Sequence, residues 1–343
     1  MSTAQAEPSR RTKTGAPDPG SGESTLTVIL ALAANAAIAV IKAVAGILTG
    51  SAAMLAEAAH SVADTSTEFL LLAALHHSER RADRRHPFGY GKVRFFWSLI
   101  AAVSIFVTGA VFAVYEGVRT IFGAGEEQTL AWVAFLVLAL SFVMESLSWI
   151  RVMRQVHREK AENDQKLIEY LRATDDPTVK TVFYEDTAAL LGLLLAFAGV
   201  TLHLLTGSAL WDGLASLLIG MLLTVVAYLL THTNMQLLIG RQADARLVRA
   251  IHAQLSAAPE VDQVVDLLTM LTGTDKVLLC TRVDFAEALS ADDLERACVR
   301  IDDELRSEFP DLDEIFIGPV PRSDPALRAR VVSRYGSTLD DIR

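Results

Sequence analysis

Residues 182–237 read VFYEDTAALLGLLLAFAGVTLHLLTGSALWDGLASLLIGMLLTVVAYLLTHTNMQL. Two apolar runs, 182–206 and 210–237, meet at the turn signal Thr206-Gly207-Ser208. Each is long enough to cross a bilayer core, which takes roughly 20 residues in helix. Four more stretches of the same kind precede them, at 26–49, 52–76, 95–122 and 129–150. The sequence therefore predicts an α-helical membrane protein with six transmembrane helices, occupying residues 25–238.

Composition agrees. The 343 residues are 51% hydrophobic and 21% charged, with a mean hydropathy of +0.33. An ordinary soluble core cannot absorb that much apolar surface. The net charge of −10 excludes nucleic acid as the main partner. Two cysteines, Cys280 and Cys298, cannot build a disulfide framework or a Cys-rich zinc module.

Charge between the spans sets the orientation. The breaks at Thr49-Gly50-Ser51, Gly123-Ala124-Gly125 and Thr206-Gly207-Ser208 are nearly uncharged or acidic. Residues 76–94 carry six Lys and Arg against two acids, and residues 151–180 carry seven. Arg241, Arg246 and Arg249 follow the last span. Basic and neutral connections alternate, as they must if both termini are cytosolic. Arg119, near the outer end of the third span, is the one dissenter.

Outside the spans the pattern changes. Residues 1–24 are polar, rich in Pro, Gly and Ser, and read as a disordered tail without a signal-peptide core. Residues 243–257 and 291–308 have helical period, whereas 261–271, 276–284 and 313–319 read as strands. This α-β-β-α-β order predicts a small cytosolic α+β domain over 239–320, an open-faced sheet with helices on one side. Val265, Leu267 and Leu279 are expected on the open face. Residues 321–343 carry no assignable pattern.

Ionisable groups inside spans are costly and mark pathways or ion sites. The second span reads LAEAAHSVADTSTEF over 55–69. His60 and Asp64 are four residues apart and share one helical face. An imidazole and a carboxylate so placed can hold one divalent metal, with Glu57 and Glu68 adjoining. The plainer reading is a buried pair, His60 and Asp64 bonded to each other. Glu185 and Asp186 open the fifth span as a second acidic cluster. Their plainer reading is a helix-end pair favoured by the helix dipole. Lys42, deep in the first span, needs a partner, and Glu57 is the candidate; Asn35 is placed to bond between helices. Glu116, Glu145, His203, Asp212 and His232 lie near span ends and read as interfacial. There is no GxxxxGK phosphate loop and no HExxH, so nucleotide-driven pumping and metalloprotease chemistry find no residues.

TGSAAMLAEAAHSVAD (49–64) and HPFGYGKVRFFWSLI (86–100) resemble the second-span and third-span segments of the cation diffusion facilitator family. FYEDTAALLG (183–192), TGSALWDGLASLLIG (206–220) and the α-β-β-α-β tail fit as well, so the resemblance covers about residues 26–320. The EDTAA wording of the fifth span is closest to the zinc transporter nine-like branch. The resemblance implies a homodimer of six-span protomers with a ferredoxin-like dimerisation domain. It also implies export of divalent metal from the cytosol in exchange for protons, with metal as cargo rather than cofactor. The family takes two ligands from span two and two from span five, each pair four residues apart. Here these become His60, Asp64 and Asp186. The fourth position is Val182, which cannot bind metal, so Glu185 or a water must complete the shell. The tail's only histidine is His252, so tail metal sites are not carried over.

The expected function is therefore proton-coupled efflux of zinc, by a multi-pass protein of a bacterial inner membrane. A proton would compete with metal for the imidazole of His60. One imidazole among carboxylates is a hard donor set, which leaves iron(II), manganese and cobalt open. The alternative from another class is a membrane receptor or scaffold whose buried acids only pair helices. No nucleophile–base set supports an enzyme.

Overall fold

The computed structural model describes residues 22–123, 130–162 and 177–335. The tail expected over 1–24 lies almost wholly outside them, as do 163–176 and 336–343. The membrane part comprises α1 (Gly22–Thr49), α2 (Ala52–Ser78), α3 (Lys92–Ser104), a π-helical turn (Ile105–Ala110), α4 (Val111–Phe122), α5 (Ala131–Glu162), α6 (Pro177–Thr206) and α7 (Leu210–Ile239). The third span is one crossing, Lys92–Phe122, interrupted only in its hydrogen-bond pattern. Five helices among the described residues are long and apolar enough to span a membrane. The sixth, α2, has their length and packs among them, but carries Glu57, Asp64 and Glu68.

Small side chains allow the helices to approach closely, which in a membrane substitutes for a hydrophobic drive between them. Ala52, Ala53, Ala56 and Ala63 of α2 are buried. Gly117 of α4 and Gly213 of α7 face each other so closely that a Cβ on either would press on the other's carbonyl. Leu191, Leu194, Phe197, Met221 and Tyr228 are exposed on the outside of the bundle, as a lipid-facing surface requires.

The tail folds as α8 (Ala245–Ala257), β1 (Val261–Gly273), β2 (Lys276–Phe285), α9 (Ala291–Glu308), β3 (Leu312–Pro319) and α10 (Pro325–Tyr335). The sheet runs β1-β2-β3, antiparallel then parallel, with α9 as the crossover. Ser290 caps α9 and Asp293 reciprocates, a capping box that holds the Asp293 carboxyl below its ordinary value. The unassigned stretch after 320 includes α10, fastened by buried Leu327 and Val331 and by Arg334 to Asp266 at 3.2 Å.

Two expectations about the sheet need correction. Leu267 and Leu279 are 2% and 0% exposed and belong to the tail's core, so they do not line an open face. For Leu267 the cause is a register shift in β1 between Val264 and Asp266, whereas Leu279 has the inward parity of Val277, Thr281 and Val283 on a strictly alternating β2. A bulge breaks strict alternation, so face assignments by parity fail across it.

The tail's core is not made of tail residues alone. Phe95 of the third span, 0% exposed, and Leu237 of α7 are buried in it beside Ile251, Leu267, Leu279 and Leu305. The segment just after α7 is bonded to β1: Leu271 N donates to Arg241 O at 3.0 Å, and Ala243 N to the Thr269 side-chain Oγ1 at 3.1 Å. Gly91 lies directly against the Thr272 carbonyl.

Candidate metal centre between the second and fifth spans

On α2, the positions 57, 60, 61, 64, 67 and 68 recur at helical spacing and carry its polar groups inward. His60 is 4% exposed, and both ring nitrogens are buried without a hydrogen bond among the described residues. The plainer reading, His60 bonded to Asp64, is therefore not what the fold adopts. Asp64, one turn on, is half-buried and within electrostatic range of Glu68, Glu145, Asp186 and Lys42. Asn35 of α1 donates to Glu68 at 2.5 Å, the interhelical bond expected of it.

On α6, Glu185 and Asp186 are both buried. Adjacent helical residues point about 100° apart, so the two look in different directions. Glu185 turns to α2, beside Thr67, with Oε1 lacking a hydrogen bond. Asp186 turns to α5 and accepts from Ser148 Oγ at 3.0 Å. The next residue repeats the link: Trp149 donates to Thr187 at 3.2 Å. Asp64 of the second span and Glu185 and Asp186 of the fifth are thus within electrostatic range of one another, with Asp186 on the side of α5. Among the described residues, no three His, Cys, Asp or Glu side chains are gathered tightly enough to form a ready metal shell.

Beside this field lies a cation. Lys42 is wholly buried, donates to Ser61 at 2.8 Å and pairs with Glu57 at 3.4 Å and Glu145 at 4.0 Å. Its pairing with Glu57 matches expectation. Glu145 does not: it read as interfacial, yet it faces Lys42 and Asp64 inside the bundle. The spacing of Glu145 and Ser148, three positions apart on one helical face, was the available signal. Asp212 also read as interfacial and is instead 1% exposed, accepting from Ser51 Oγ at 2.7 Å and Ala52 N at 2.5 Å. It fixes α7 to the start of α2. Glu116 and Arg119 pair at 3.1 Å, which accounts for the dissenting arginine. His203 is buried, whereas His232 is exposed and stacks on Tyr228.

A bundle of membrane-crossing helices around ionisable groups, carrying a small α+β tail, is the architecture of a cation transporter. Residues 28–239 match the cation efflux transmembrane domain, and the chain belongs to that family of transporters, which are not enzymes. It is 34% identical over 258 residues to the Xenopus laevis protein named proton-coupled zinc antiporter SLC30A9, mitochondrial, covering 75% of this chain and 46% of that protein. It is 32% identical to metal tolerance protein C4 of Arabidopsis thaliana, covering 69% of this chain and 52% of that one. It is 24% identical to the manganese efflux system protein MneP of Bacillus subtilis, covering 86% and 95%. The chain spans about half the length of the frog and plant relatives. It is an integral, multi-pass membrane protein. The expectation of a bacterial inner membrane draws no support from the first of these relatives, whose name reads mitochondrial.

Proposed function

We propose that this chain exports a divalent metal, zinc foremost, in exchange for protons, and binds it between α2 and α6. His60, Asp64 and Asp186 replace the ion's water, and Glu185 supplies the fourth ligand. The observation that carries the reading is the shared field of Asp64, Glu185 and Asp186 beside an imidazole with both nitrogens unbonded. Buried acids so placed have a large unmet demand for positive charge. A dication answers it, and protons answer it in the return step. The names of the frog and Bacillus relatives support metal export by either a zinc or a manganese route. One imidazole favours zinc; the surplus of carboxylates is what a manganese reading would rest on.

The same reading places both termini in the cytosol, supported by the basic connections 76–94 and 151–180. It takes the working unit to be a homodimer, its tail contributing to the contact. The test is flux into sealed vesicles with purified protein and an imposed pH gradient, compared across zinc, manganese, iron(II) and cobalt. Asp64→Asn and Asp186→Asn should each lower flux by about 100-fold or more, since even supporting groups of metal sites are worth 10–100-fold. Near-normal zinc flux in either variant removes the site, and flux indifferent to the gradient removes the antiport.

A further inference from the structure

Lys42 is a buried cation within a field of acids, and the reading above gives it no task. A buried ammonium costs several kcal/mol in desolvation and persists only with close partners. It has them on two helices, Glu57 and Ser61 of α2 and Glu145 of α5. Its charge also reaches His60 and Asp64.

Glu57 is the informative partner. It is 0% exposed, and only Oε2 meets Lys42. Oε1 has no hydrogen bond among the described residues and lies against Gly192 of α6, where any Cβ would collide with it. The carboxylate is therefore directed between α2 and α6, the same interval that holds Asp64 and Glu185. Without Lys42, Glu57 and Glu145 would be two uncompensated acids in the bundle interior, Glu145 in the field of Asp64 and Glu57 one helical turn from His60.

We propose that Lys42 determines cation specificity: as a tethered cation it withholds Glu57 and Glu145 from the transported ion and confines that ion to His60, Asp64, Asp186 and Glu185. The inference rests on the substrate site proposed above. Its chemistry follows from donor hardness. Zinc accepts a small shell containing nitrogen, whereas manganese is served by carboxylate oxygens. Two added carboxylates would enlarge the shell and harden it, so manganese would gain on zinc.

The test uses the full chain in vesicles under a pH gradient and measures kcat and KM for zinc and manganese. Lys42→Met should raise the manganese-to-zinc ratio of kcat/KM by about tenfold. Lys42→Arg, which keeps the charge, should hold the wild-type ratio. In the triple variant Lys42→Met, Glu57→Gln, Glu145→Gln the withheld acids are gone, and the ratio should return toward wild type. Equal loss for both metals in Lys42→Met and the triple variant would show a merely structural lysine and overturn the proposal. If Lys42→Met does not assemble, Glu57→Gln with Glu145→Gln leaves the ammonium uncompensated. Zinc KM should then rise, and adding Lys42→Met should lower it again; no such rescue overturns the proposal. A wild-type protein that moves neither metal sinks the proposed function itself, which is a different result from an unchanged ratio.

Discussion

A single carboxylate outside the membrane shows how side chains preset a loop. Asp83 lies in the connection between α2 and α3, where its Oδ2 accepts from Tyr90 at 2.7 Å and its Oδ1 from His86 N at 2.7 Å and Arg85 N at 2.8 Å. The tyrosine hydroxyl first, and the His86 amide next, hold its pKa down at about 2. Because the folded value is depressed, the loop's stabilisation is present above the ordinary carboxylate range and is lost as pH falls through about 2. Tyr90→Phe should move the Asp83 midpoint upward, read by NMR of the carboxyl carbon. An unmoved midpoint would mean that the phenol contributes nothing. The motif HPFGYG was legible in the sequence as a motif. Its acceptor, seven residues before Tyr90, was not, because nothing in spacing shows which acid a loop will fold back on.

Among the elements, α2 depends on a neighbour for its start. Ser51 is its N-cap and accepts from Met54 N at 3.2 Å. Asp212 of α7 then takes the Ser51 hydroxyl and the Ala52 amide, so two spans share one cap. Asp212→Ala strands these buried donors, at about 1–3 kcal/mol. The thermal midpoint of the detergent-solubilised protein should fall, and an unchanged midpoint would place Asp212 outside the cap. Five crossings were readable because long apolar runs admit one solution in a bilayer, and α2 was readable by its matching length despite its acids. The π-helical turn Ile105–Ala110 was not, since IFVTGA differs in no compositional way from its flanks. The same limit hid the site's wider membership. His60, Asp64, Glu185 and Asp186 stand out along the chain as charges within apolar runs. Glu145 and Ser148 join them only through the packing of α5 on α1 and α6, a relation between helices that hydropathy does not encode.

For the molecule as a whole, the join between bundle and tail is the decisive feature. Truncating Phe95 to Ala should cost about 3–5 kcal/mol in the tail's core, as large-to-small changes at buried aromatics do. Hydrogen exchange of the β1 and β2 amides in the intact protein would register it. Protection equal to wild type would show the ring to be dispensable. A hydropathy boundary near residue 239 divides lipid from water, yet the folding unit does not divide there. A fragment cut at Gly240 would lose the Phe95 and Leu237 side chains and present an empty apolar socket to solvent. Two such fragments could close their sockets on each other. Self-association of an isolated tail would then report a severed ring seeking a substitute, so the proposed pairing of protomers has to be tested on the uncut chain.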